Sequence, residues 1–174
     1  MKALFQAMQT QILNEVTEIT YVRMFNNQFE NAVQENNTYD FPFPCVFIEF
    51  INEQQPKQLG AGYQLYEPLV VRCHIGMNEL DAADGTLDQN LNIFDLKDKV
   101  YKALQKFEPT CASVFIRTSE QQDYSHTNIY VWKMDFTTTW LDANRTEPLN
   151  PTETEPPTAL VIDPITIIEK LDDL

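Results

Sequence analysis

Glycine is scarce in this sequence, with four residues in 174. A backbone cradle for phosphate has little to be built from, and neither GxGxxG nor GxxxxGKS/T occurs. Histidine is scarcer still: His74 and His126 are the two in the chain, and there is no HExxH and no GxSxG. Cys73 and His74 are adjacent, but neighbours on a strand point to opposite sides of a sheet, so they do not make a ligand pair. No catalytic constellation, metal or cofactor is expected. The three cysteines, Cys45, Cys73 and Cys111, are odd in number, widely spaced and without a CxxC pair. They read as small apolar residues in a reducing cytoplasm, not as a disulfide framework. No apolar run approaches the roughly 20 residues that cross a bilayer. The first eight residues lack the continuous apolar stretch of a signal peptide.

Positive charge is also short. Twelve Lys and Arg stand against 26 Asp and Glu, a net charge of −14. Phosphate backbones and anionic membranes need clustered cations, so neither free nucleic acid nor a membrane surface is an expected partner. The negative charge is spread along the chain. It serves solubility, and it also suits a wall past which DNA slides without sticking.

What is present is the patterning of one ordinary domain, residues 1–141, followed by an appendage, residues 142–174. Leu4, Phe5, Met8, Ile12 and Val16 recur at helical spacing and predict a helix over 3–16. The β-branched and aromatic run 19–25 predicts a strand. After a polar stretch over 28–40, with Asn36 and Asn37 as a loop, Pro42 and Pro44 force an extended lead into 45–51. That run is apolar on both faces except at Glu49, as in a central strand with helices on one side and a less complete cover on the other. Glu49 is the carboxylate best placed for a shifted pKa. Its blander alternatives are an acid reaching the sheet edge or one paired with Arg23 or Arg72.

A polar loop over 52–62 precedes a strand in which Leu69, Val71, Cys73, Ile75 and Met77 alternate with Val70, Arg72, His74 and Gly76. A loop over 78–86 leads to a second helix, expected over 87–107. Its stripe is Leu91, Phe94, Val100, Leu104 and Phe107, widened by Ile93 and Leu96, and Pro109 is its stop. A short strand over 113–118 and a polar connector over 121–125 come next. His126 follows the connector in a polar turn, as a solvated side chain. In the final strand Tyr130, Trp132, Met134, Phe136 and Trp140 point one way, and Val131, Lys133, Asp135, Thr137 and Thr139 the other. The last two strands are expected to pair as an antiparallel hairpin. The sum is an α+β domain: an antiparallel or mixed sheet of about five strands with two helices packed on one face, plus an extended C-terminal tail.

The tail, residues 142–174, is acidic and rich in Pro, Thr and Glu, and it carries −6 of the net charge. Within it Leu160, Val161, Ile162, Ile165, Ile167 and Ile168 form a β-branched, apolar burst between polar flanks. Such a segment is costly to leave in water and needs a surface, so these six residues are the candidate oligomer interface. Docking on a neighbouring copy is favoured over docking on the parent domain, and the 18 residues from Asp142 to Ala159, at about 3.3 Å each, are long enough to reach one.

The order of segments is similar to a known pattern. It comprises the amphipathic first helix, the 19–28 stretch, the Pro-led strand over 42–50, the strand over 70–75 and one helix ending Leu104-Gln105-Lys106-Phe107. The hairpin of Phe115-Ile116-Arg117 with Trp132-Lys133-Met134-Asp135-Phe136 completes it. Over residues 3–141 this resembles the tail terminator, or tail completion, family of tailed bacteriophages, which shares its fold with tail-tube and head–tail connector proteins. The resemblance implies a virion structural protein that forms a homo-oligomeric, usually hexameric, ring. Such a ring caps the tail tube and joins it to the head, with DNA passing an acidic lumen. It implies tail-tube and connector proteins as partners, no catalytic residues, assembly in the host bacterial cytoplasm and a final place in the tail or neck. The tail after Asp142 is outside the pattern. A small non-enzymatic adaptor or assembly chaperone, monomeric or dimeric, is the alternative.

Overall fold

The computed structural model describes residues 1–31, 41–51, 56–59, 63–78, 88–126 and 129–142. In chain order the elements are α1 (Lys2–Glu15), β1 (Tyr21–Met24), a one-turn helix α2 (Gln28–Asn31) and β2 (Cys45–Ile51). Then come β3 (Lys57–Gln58), β4 (Gln64–Met77), α3 (Asp88–Leu104), β5 (Ile116–Asp123) and β6 (Tyr130–Asp142). The fold is α+β, with a six-stranded mixed sheet in the order β1-β2-β4-β6-β5 and β3 paired on β4. The β1–β2 pair is parallel and the other pairs are antiparallel.

Both long helices cover one face of the sheet. Leu4, Met8, Ile12 and Val16 meet Ile93, Leu96, Val100 and Leu104 over Val71, Cys73, Ile75, Met134 and Phe136, all buried. The alternation expected along β4 and β6 therefore holds, residue for residue, on its core side. Gln11 Nε2 donates to the Ala103 carbonyl at 3.1 Å, and Lys99 pairs with Glu18, tying the helices together. The opposite face has a smaller, aromatic cover. Phe29 on α2 and Phe41 pack edge-on against Phe47, over buried Cys45, Ile129 and Val131. Gly76 makes room for this layer, since a Cβ there would sit 2.6 Å from the Phe29 ring.

Several expectations are corrected. The apolar line of α3 is Ile93, Leu96, Val100, Ala103 and Leu104; Leu91 and Phe94 stay 55% and 44% exposed. At about 100° per residue they fall well off that line. The helix ends at Leu104, before Pro109. Lys106 is left-handed, with φ 62°, and its N–H donates to the Phe115 carbonyl at 2.9 Å. β5 starts later than expected and takes in Gln121–Asp123 of the supposed connector, because its partners on β6 run on to Val131. β4 begins at Gln64 and passes through Pro68, which sits at a register shift between Tyr66 and Leu69 where no ladder donor is needed. The segments α2 and β3, too short for a periodic signal, were not anticipated. Tyr130 and Trp132 face the helices as expected but are only half buried, because Leu91 and Phe94 cover them loosely. The Asn36-Asn37 loop and most of the loops over 52–62 and 78–86 lie outside the described residues. So does the tail, with Leu160, Val161, Ile162, Ile165, Ile167 and Ile168.

Candidate functional site

Beyond the aromatic layer, the face opposite α1 and α3 carries charge. Antiparallel register sets Glu49 of β2 opposite Arg72 of β4, and Arg72 opposite Asp135 of β6. On the next strand, Ser119 lies opposite Asp135 and Asp123 opposite Val131. The period of two then brings these side chains to one side of the sheet. Arg72 grips Asp135 through two bonds, Nε to Oδ1 at 2.6 Å and an η nitrogen to Oδ2 at 3.0 Å. Ser119 Oγ donates to the same carboxylate at 2.8 Å. Lys133 meets Asp123 at 2.7 Å, and His126 lies 3.7 Å from it. His74 Nε2 is 2.8 Å from Glu49 Oε2, and its ring stacks flat on Phe25 with centroids 3.8 Å apart. A shallow cavity of about 200 Å³ opens between these groups and the Phe25 and Phe29 rings.

The charges are largely spent on one another. Burial pushes the Asp135 carboxyl up, but hydrogen bonds from Arg72 and Ser119 outweigh it and hold the group below the usual carboxylate range. Burial likewise opposes ionisation of Asp123, yet bonds from Lys133 and the Ser125 N–H bring it down to about 2. Burial pushes His74 below the ordinary imidazole value; the bond to Glu49 resists, and the Lys133 and Arg72 charges reinforce the fall. His74 is therefore a neutral donor to Glu49 near pH 7. Two of the thiols are unreactive: burial raises Cys45 well above its ordinary range and pushes Cys73 up to about 12. Among the described residues no group of three or more His, Cys, Asp or Glu side chains could hold a metal ion.

Glu49 thus finds its partner in His74, where the sequence offered the edge, Arg23 or Arg72. His126 is not the solvated side chain expected: it is largely covered, between Phe29 and Asp123. Cys73 and His74 do point to opposite faces, one into the helix-side core and the other onto Phe25. The Asp123–Lys133 and Arg72–Asp135–Ser119 links were missed. Alternating Lys133 and Asp135 on β6 was their only trace.

The depressed His74 makes stability depend on pH in a definite direction. The unfolded imidazole takes up a proton near 6.5 while the folded one resists, so stability is full above that value and is lost as pH falls below it. Urea midpoints measured from pH 8 down to pH 5 are expected to fall more steeply for the native chain than for His74→Gln. Parallel curves would show that His74 titrates freely in the folded state.

The sheet edges form the other half of the site. Phe25 N–H donates to the Ile48 carbonyl, so the main-chain groups of the odd-numbered residues of β1 face β2 and those of Val22 and Met24 point to the free edge. Side chains close that edge. The Val22 carbonyl accepts from Gln9 at 2.8 Å and from Arg23 at 2.9 Å, and the Met24 carbonyl accepts from Gln28 at 2.6 Å. β5, at the other end of the sheet, has exposed side chains from Thr118 to Gln121, and Ile116 is 42% exposed. Beside it on the helix face lies an apolar groove of about 150 Å³ between Leu91, Phe94, Gln122, Tyr130 and Trp132. The Trp132 indole N–H is buried there without a hydrogen-bond partner among the described residues. No protein-family model matches this chain, and no curated protein matches it either.

Proposed function

We propose that this chain is a structural subunit of a tailed bacteriophage: a tail terminator or head–tail joining ring protein that caps the tail tube and connects it to the head. The observation that carries the reading is the asymmetry of the sheet. One edge is closed by its own side chains; on the other, Gln105 Oε1 caps the Arg117 N–H near the start of β5, and the exposed stretch beyond it lies beside large exposed apolar groups, on an acidic chain whose internal charges are paired off. Such a subunit is built to meet copies of itself and not to turn over a substrate. The chain order α1-β1-β2-β4-α3-β5-β6 follows the order of segments on which the resemblance over residues 3–141 rests. The partners are then other copies in a hexameric ring, tail-tube protein below and connector protein above, with DNA passing an acidic lumen. The chain acts without catalysis, is assembled in the host cytoplasm and resides in the virion neck.

Removing the gene from a phage that carries it tests the role. Filled heads and separate, unjoined tails are expected in electron micrographs of the lysate. Normal joined virions lacking the protein would overturn it.

A further inference from the structure

We infer that the β5 edge and its neighbouring groove are the docking site for the apolar segment 160–168 of an adjacent copy of this chain. The inference rests on the ring reading and names the contact that closes the ring.

Two features converge on this site. β5 is a terminal strand of the sheet, as β1 is; Gln105 Oε1 caps its Arg117 N–H at 3.0 Å, and the Thr118–Gln121 stretch beyond is exposed. An extended segment laid along it gains main-chain hydrogen bonds. The apolar groove opens on the same side as Gln122, where the side chains of an added strand would fall. Leu91 and Phe94 are exposed there, on a helix that otherwise buries its large apolar residues. The α3–β5 seam is already braced around this point: Lys97 lies 5.1 Å over the Trp132 ring and 3.5 Å from Glu120, and Arg117 lies 4.0 Å over Tyr101.

The occupant follows from the chain itself. The segment 160–168 has nine residues and β5 has eight. In a strand Val161, Ile165 and Ile167 share one face and Leu160, Ile162 and Ile168 the other. Pro164 lacks an N–H, so it turns its nitrogen away from β5 and leaves the odd-numbered residues to pair. The linker length selects the neighbouring copy. β6 ends at Asp142, five residues beyond Thr137, the partner of Ile116. Returning to the start of β5 in the same copy spans roughly 20 Å. The 17 residues from 143 to 159 include Pro148, Pro151, Pro156 and Pro157, a composition that favours a stiff, extended chain of about 50 Å. That is long for a return to the parent sheet and suited to reaching the next one.

The test is crosslinking between full-length chains carrying Cys111→Ser, since Cys45 and Cys73 are buried. One population carries Leu91→Cys and the other Ile165→Cys; after co-assembly a short bis-maleimide is added. Inter-chain product is expected at least about tenfold above a control in which Met24→Cys, on the opposite sheet edge, replaces Leu91→Cys. Gln122→Cys, on β5 itself, is expected to behave as Leu91→Cys does. Equal yields at both edges, or a bridge only within single chains carrying both cysteines, would overturn the inference. Light scattering on the same samples separates the two readings. A ring without the Leu91–Ile165 bridge rejects this docking site alone, whereas a chain that stays at 20.2 kDa rejects the ring as well.

Discussion

Phe136→Ala is expected to lower the unfolding free energy by about 3–5 kcal/mol, the range for deleting a large buried aromatic. Phe136 is fully buried at the middle of β6, with β4 on one side through Val71 and β5 on the other through Arg117. Its ring meets Phe115 edge to face, at 6.5 Å between centroids. Little can collapse into the space it would leave, because strands flank it and α3 lies above. Trp132 is the larger side chain on the same face, yet Trp132→Ala is expected to cost less, about 1–2 kcal/mol, because half-burial removes less area and its unpaired N–H is a standing penalty. Urea titrations of the two variants check this. Equal losses would mean that Trp132 is as deeply packed as its alternation with Phe136 implies.

The second large effect is expected at the charged ladder. Arg72→Met should destabilise by about 2–3 kcal/mol, somewhat less than a fully buried pair because both partners keep some exposure. The substitution leaves Asp135 with its Ser119 bond but without the guanidinium that offsets its burial. The double variant Arg72→Met with Asp135→Met should recover most of the loss, since two apolar residues leave no charge stranded. A loss below about 1 kcal/mol for Arg72→Met would class the pair with ordinary exposed salt bridges.

The parts of this fold that could be read from the sequence are those whose side chains repeat. Leu69 to Met77 and Met134 to Phe136 alternate cleanly, and their faces follow from the pleat. Leu4, Met8, Ile12 and Val16 do the same for a helix. Around Leu91 and Phe94 two apolar lines overlap on one helix, and periodicity alone added these two residues to the buried line of Ile93, Leu96, Val100 and Leu104. The same error hid the groove, since residues assigned to the core cannot be recognised as surface. The polar ladder was hidden for another reason. Glu49, His74, Lys133 and Asp123 are far apart in sequence, and only strand register joins them. Closure of the β1 edge by Gln9, Arg23 and Gln28 was equally invisible, because it depends on where helices α1 and α2 end up.

The mass of the purified full-length chain in solution, alone and mixed with tail-tube protein, tests the ring most directly. Light scattering is expected to give a closed species near 120 kDa, six copies of 20.2 kDa, in at least one of the two samples. A species that remains at 20.2 kDa in both, at the highest concentration reached, would contradict it.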